Sequence, residues 1–283
     1  MKLIENESFE EERSLYKIKD TILNNILFSG AKDGESPLKE TKNLLINNST
    51  FDLRYALWHN ENSKVVDCVL SSKCRAPLWY SKNVNFFNIK VDGVKFLREC
   101  KSIIIDKSVI NSEEFCWKSK DINIKNTEIK SVYPFFSINN LVLNNVTLKG
   151  KYSFQYSNNI LIEDSNFDTK DAFWHTSNAV IKNSIIKGEY IGWYSNKLTF
   201  INCKIIGTQP FCYSKNIKLI DCEMEGADFA FENTTVKGNI NSNVISIKNP
   251  IKCNLIVDSV NDLIIDEYKK KGKVVITKKT NNA

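Results

Sequence analysis

The sequence has only two histidines, and the densest group of side chains able to move a proton beside aromatic rings lies between residues 169 and 214. There Lys170 and Asp171 are followed by Trp174 and His175, then by Glu189, then by Trp193 and Tyr194. An imidazole beside a carboxylate can act as general acid or base near neutral pH, which makes Asp171, His175 and Glu189 the candidate catalytic residues. Hydrolysis of a polysaccharide would need two carboxyl groups about 5 to 9.5 Å apart on one face. Glu113 and Glu189 share a row of the repeat described next, but four repeats separate them, roughly 19 Å at strand spacing. Glu113 and Glu114 are strand neighbours and should point to opposite faces. Asp171 and Glu189 fall on adjacent repeats in rows of opposite parity, and Glu35, on an inserted loop, could supply a further carboxylate. A histidine so placed is more commonly a hydrogen-bonded surface residue than a catalyst, so no reaction is assigned. No Cys-x-x-Cys or Cys/His ligand spacing occurs and no row is acidic, so no metal or cofactor is expected.

A period of 19 residues positions these side chains. The residue before each apolar triplet recurs at that interval: Asn83, Ser102, Asp121, Asn140, Asn159, Asn178, Lys197, Asn216, Thr235, Asn254 and Lys273. Upstream the register continues through Asn62 and Asn43 to Asp20 with longer steps, the longest carrying the loop at residues 30–37. Counting from the first residue of the triplet, positions 1 and 3 are apolar, as in Ile103 and Ile105 or Ile160 and Ile162. Such alternation marks a strand with one buried face. Position 5 is mostly Asn or Asp, position 6 is small, and positions 8 and 14 are apolar again. Three short strands per coil, joined by tight polar corners, make an all-β fold: a single-stranded parallel β-helix of about 13 coils. Two helices and a turn do not fit 19 residues, and left-handed hexapeptide helices want multiples of six, so the expected hand is right. Cys68, Cys116, Cys203 and Cys222 fall at buried positions of this register.

Position 15 holds all five tryptophans, Trp58, Trp79, Trp117, Trp174 and Trp193, with Arg98, Phe136, Gln155, Cys212 and Phe231 in the same row. It follows the inward position 14, so strand alternation should turn it outward together with positions 11 and 13. Position 16 carries both histidines, His59 and His175, among tyrosines such as Tyr80, Tyr156, Tyr194 and Tyr213. One face would then carry an aromatic strip roughly 40 Å long, bordered by charges of both signs. An apolar strip facing water needs a reason. One reason is a saccharide track, with Arg75, Trp79, Arg98, Trp117, Lys170, Trp174, Trp193 and Tyr194 as ligand-binding residues. The other is burial, beneath the N-terminal segment, the loop at 30–40 or a second subunit, which would make the chain a homodimer.

The register spans almost the whole chain, with residues 1–20 expected as an N-terminal cap, 21–277 as one β-helix domain and 278–283 as a tail. Much of the net charge of +6 comes from lysines after residue 268. A solvated basic tail with no accompanying motif argues against a nucleic-acid partner. The first sixteen residues hold no apolar core long enough for a signal peptide, and no segment approaches a membrane span. Cytoplasmic residence is expected, with no membrane partner and the eight cysteines as thiols.

The phrases GESPLKE (34–40), RYALWH (54–59), CRAPLWYS (74–81), TKDAFWHTSN (169–178), GEYIGWYSN (188–196), NCKIIGTQPFCY (202–213) and SIKNP (246–250) together resemble an uncharacterised bacterial family. That family is a domain of unknown function grouped with the pectate-lyase-like right-handed parallel β-helices. The resemblance implies the fold and its hand, and it implies no reaction. The aspartate and arginine patterns of pectate lyases and polygalacturonases do not occur here. Two functions remain in view. One is a carbohydrate-interacting β-helix working through the aromatic and charged ladder, a binding protein or an enzyme of unidentified reaction. The other is a non-enzymatic scaffold whose ladder is a self-association or protein-binding surface.

Overall fold

Alternating apolar residues drive the strands, and pairing with equivalent residues of the next coil fixes them. The computed structural model describes residues 1–30, 35–267 and 272–278. The chain divides into two compact units, Met1–Thr147 and Leu148–Ala283. In the first, Lys101–Asp106 pairs in parallel with Lys82–Phe87 on one side and Lys120–Val132 on the other, setting Ile103 opposite Val84 and Ile122. In the second, Ser177–Lys182 lies between Asn158–Glu163 and Asn196–Ile201, with Ala179 opposite Ile160 and Leu198. A shorter strand follows each corner, such as Val109–Asn111 or Ile185–Lys187, paired in the same manner. Both units are thus all-β parallel solenoids, about 14 turns in all at about 19 residues per turn, with no helix among the described residues.

The corners explain the asparagines. Asn62, Asn83, Asn183 and Asn202 have φ of 56°, 53°, 48° and 51°, a left-handed conformation that asparagine tolerates better than most residues. Their amides also form ladders along the solenoid. Asn83 Nδ2 donates to Asn62 Oδ1 at 2.9 Å in the first unit, and Asn202 Nδ2 donates to Asn183 Oδ1 at 3.0 Å in the second. Inside, phenylalanines stack coil on coil: Phe28 on Phe51 at 5.0 Å, and Phe154 on Phe173 at 4.7 Å. All eight cysteines are buried free thiols, and burial pushes Cys68 up to about 11 and Cys74 to about 12. Thiols held protonated in this way are core filler.

The third side of each coil differs from the expected strand. Tyr152, Phe154 and Tyr156 have φ of 62°, 65° and 56°, and Asp171, Phe173 and His175 repeat the pattern at 56°, 63° and 54°. Alternate residues are left-handed, so in place of a regular strand ladder the side pairs through isolated bridges such as Trp79 to Arg98 and Arg98 to Trp117, and through backbone hydrogen bonds such as Tyr55 N to Arg75 O at 2.9 Å. Strand parity therefore fails there. Position 13, expected outside, is buried beside position 14: Ala56, Phe96, Phe115, Ala172 and Ile191 are all 0% exposed.

The register is also corrected near the C-terminal end. Thr235 stands opposite Lys252 and Lys252 opposite Lys273, so a coil two residues short precedes one two residues long. Cys253 and Leu255 occupy positions 1 and 3, and Asn254 lies on an exposed strand face instead of at the corner. A shift of two residues preserves which side chains face inward, and so leaves no trace in the apolar pattern. The segment expected as a cap is itself a coil, its strands Lys2–Glu5 and Ser8–Phe9 pairing with Lys19–Asn24 and Leu27–Ser29. Residues 31–34 of the inserted loop and 279–283 of the tail lie outside the described residues.

Ile162 is 0% exposed at position 3. Ile162→Asp would bury an unpaired carboxylate, a cost of several kcal/mol, and should abolish folding. Circular dichroism checks this, and a wild-type melting curve would refute the inward assignment.

Candidate functional site

Position 15 builds the candidate site, and the left-handed residues on either side of it determine how its rings lie. Each tryptophan lies flat against the next coil, its indole nitrogen donating to a backbone carbonyl there. Trp58 reaches Ala76 O at 2.6 Å, Trp79 reaches Lys95 O at 2.9 Å and Trp117 reaches Tyr133 O at 2.6 Å. In the second unit Trp174 reaches Tyr190 O at 2.9 Å and Trp193 reaches Gln209 O at 2.7 Å. Rings held this way stack on one another. Trp58 and Trp79 lie 5.4 Å apart with planes 6° from parallel, and Trp174 and Trp193 lie 5.6 Å apart at 6°. Arg98 continues the first stack, its guanidinium 5.0 Å from the Trp79 ring and 5.6 Å from that of Trp117. All five indoles are half-buried. In each stacked pair the facing ring surfaces are covered by one another, so there the solvent meets ring edges.

A second column stands outside the first in the Leu148–Ala283 unit. His175 is sandwiched between Tyr156 at 4.8 Å and Tyr194 at 5.1 Å, with planes within 8° of parallel, and Tyr194 stacks on Tyr213 at 5.1 Å. This column is more open, with Tyr156 56% and Tyr194 46% exposed.

The three candidate catalytic residues meet different fates. Glu189 is held by Lys170 at 2.7 Å, a pair in which each side chain is about half exposed. Exposed pairs of this kind contribute little to stability. The Lys170 ammonium also sits 5.2 Å from the Tyr190 ring. His175 stacks between tyrosines, and no hydrogen bond joins it to Asp171 among the described residues. Asp171 is 5% exposed, and burial raises its carboxyl above the usual carboxylate range, against the pull of Lys170 and with the push of Glu189. Its carboxylate has no ion pair or hydrogen bond among the described residues. The structure brings together Lys170 with Glu189, Trp174 with Trp193, His175 with Tyr194, and Trp79 with Arg98 and Trp117. Arg75 pairs through its backbone with Val94 and stays exposed beside the ladder. Glu35 is bound to Arg54 at 3.2 Å.

Sequence reasoning passed over one cluster at the end of the outer column. Glu232 accepts from the Tyr213 hydroxyl at 3.4 Å and pairs with Lys248 at 3.4 Å. Burial first, and the Glu232 charge second, raise the Tyr213 phenol above its ordinary value. Tyr213 stood in the aromatic row, but Lys248 reaches the cluster across the coil whose register the repeat misplaced. Among the described residues no group of three His, Cys, Asp or Glu side chains could hold a metal ion.

The chain belongs to a protein family of unknown function, DUF3737, whose profile matches residues 2–277. Among curated proteins none matches the chain in sequence. Similar solved structures include PfbA, a surface adhesin of Streptococcus pneumoniae, at 10% identity and a TM-score of 0.45, covering 84% of this chain and 82% of that one. The A-module of the Azotobacter vinelandii mannuronan C-5 epimerase AlgE6 aligns at 11% identity and a TM-score of 0.42, covering 99% of this chain and 89% of the module.

Two predictions follow from the geometry of these columns. Removing a ring that is stacked and hydrogen-bonded to the next coil should cost about 3 kcal/mol, so Trp193→Ala should fold but melt well below wild type. The Asp171 carboxyl is raised in the folded protein, so its ionisation opposes folding; its contribution is complete below the unfolded carboxylate range and lost as pH rises through the folded value. Asp171→Asn should therefore melt higher than wild type at pH 7, with the gain vanishing near pH 3. Melting curves at both pH values decide it.

Proposed function

We propose that this DUF3737 protein binds an extended sugar polymer along the edge-on aromatic columns of the Leu148–Ala283 unit and does not cleave it. One observation carries the reading: the exposed column Tyr156, His175, Tyr194 and Tyr213, whose rings repeat at 4.8 to 5.1 Å. That repeat follows the ~4.8 Å rise between coils and is close to the length of one pyranose unit. Phenol and imidazole edges can each donate or accept, so successive sugars can find a hydrogen-bonding group on successive coils. The Lys170–Glu189 pair adds a donor and an acceptor alongside. Holding fits the chemistry better than cleaving: Glu189 is neutralised by its lysine, and His175 is clamped between rings. Cytoplasmic residence belongs to the same proposal, supported by eight cysteines that remain free thiols.

A second reading, a scaffold that uses the columns to meet protein or a second copy, is favoured by one observation. The indole faces that would stack on a sugar are already closed by their neighbours. Titration with a panel of neutral and acidic oligosaccharides separates the two. The sugar reading expects a rise in melting temperature and a change in tryptophan fluorescence with at least one polymer, lost in Tyr194→Ala. No response to any sugar, together with a dimeric mass by light scattering, would establish the scaffold instead.

A further inference from the structure

A different surface of the second unit carries an unbalanced charge. A groove of about 440 Å³ lies on the outer face of the strands Asn196–Ile201, Ile217–Glu225, Thr235–Lys248 and Lys252–Ile264. Lys197, Lys218, Lys237 and Lys252 line it, with Asn216 and Thr235 between them. The four lysines are exposed, and none makes an ion pair among the described residues. Some lysines of this chain meet acids on the adjoining coil, as Lys42 does Glu61 at 3.1 Å, Lys182 does Glu163 at 2.9 Å and Lys204 does Glu225 at 2.8 Å, while Lys82, Lys101 and Lys120 form an exposed column in the first unit. In the groove Lys218 stands opposite Lys237 on the next coil, and Lys197 and Lys252 join them on one concave surface. Like charges at ~4.8 Å spacing repel unless an anion sits among them.

The shortened coil contributes to this. Because Thr235 is followed in register by Lys252, a lysine occupies the corner row in the place where the 19-residue repeat would put Asn254. The floor is aliphatic, with Ile217 and Val236 buried beneath the lysine stems. No ring lines the groove, so it offers no platform for stacking bases. Lysine acts as a compact point charge that serves phosphate, and the groove lacks the flat arginine fork that grips carboxylate and phosphate alike. All four arginines, Arg13, Arg54, Arg75 and Arg98, lie in the first unit.

We infer that this groove is a binding site for a phosphoryl group, borne either by a free oligophosphate or by a phosphodiester-linked chain without bases. The amide of Asn216 and the hydroxyl of Thr235 add neutral hydrogen bonds to the lysine charges. The site is separate from the aromatic columns, so it stands whether or not those bind sugar.

The test uses the full chain and calorimetric titration with tripolyphosphate, with a poly(glycerol phosphate) oligomer and with trigalacturonate. Tripolyphosphate or the glycerol phosphate chain should bind, more weakly as salt rises. The double variant Lys218→Gln, Lys237→Gln should lose at least tenfold in affinity while melting as wild type does without ligand. Lys130→Gln, an exposed lysine of the first unit, should bind as wild type does. Tighter binding of the glycerol phosphate chain assigns a polymeric source, and tighter binding of tripolyphosphate a free one. The inference is overturned by no binding of either phosphate, by equal binding to the double variant, by trigalacturonate binding as tightly, or by single-stranded DNA binding more tightly than both.

Discussion

Backbone hydrogen bonding from coil to coil is the constraint on which this molecule rests. Each coil has too few residues to enclose a core, and its strands pair their amide and carbonyl groups only with the coils on either side. Pairing in parallel and in register then places the same position of successive coils within a unit in one column. Whatever residue type a position carries is therefore repeated at strand spacing, and every column must tolerate its own side chain as a neighbour. Asparagine amides satisfy this by donating up or down the ladder, as between Asn83 and Asn62. Phenylalanines satisfy it by stacking, as between Phe154 and Phe173.

The aromatic face obeys the same rule, and that changes what it can do. A tryptophan that reaches the next coil's carbonyl with its indole nitrogen gains a buried hydrogen bond and a stacked partner. It thereby gives up the open ring face that a stacked sugar would use. The outer column escapes part of this loss, since its phenol and imidazole edges stay in water. Two columns with one origin thus serve different ends: the inner tightens the solenoid, and the outer offers a periodic row of polar edges.

Charges follow the column rule as well. Where a lysine and an acid alternate between coils, as Lys170 and Glu189 do, the column is self-neutralising and asks for no ligand. Where lysine meets lysine, as Lys218 meets Lys237 and as Lys101 meets Lys82 and Lys120, the column is left to be balanced from outside.

Much was legible without coordinates. The spacing of Asn83 through Thr235, the apolar pairs such as Ile160 and Ile162, and the single row of tryptophans together determined an all-β parallel solenoid and which residues share a column. They did so because coil-to-coil pairing converts sequence spacing directly into spatial neighbourhood. The tertiary structure decided three matters. It turned position 13 inward, because left-handed residues such as Tyr152 and Phe154 break the parity that a strand would impose. It moved Lys252 into the corner row, because a slip of two residues leaves the inward pattern unchanged. And it laid the tryptophans flat with their faces closed, because ring orientation depends on a carbonyl of the neighbouring coil, a partner 16 residues away for Trp174 and Trp193, and no residue type at either position announces that bond.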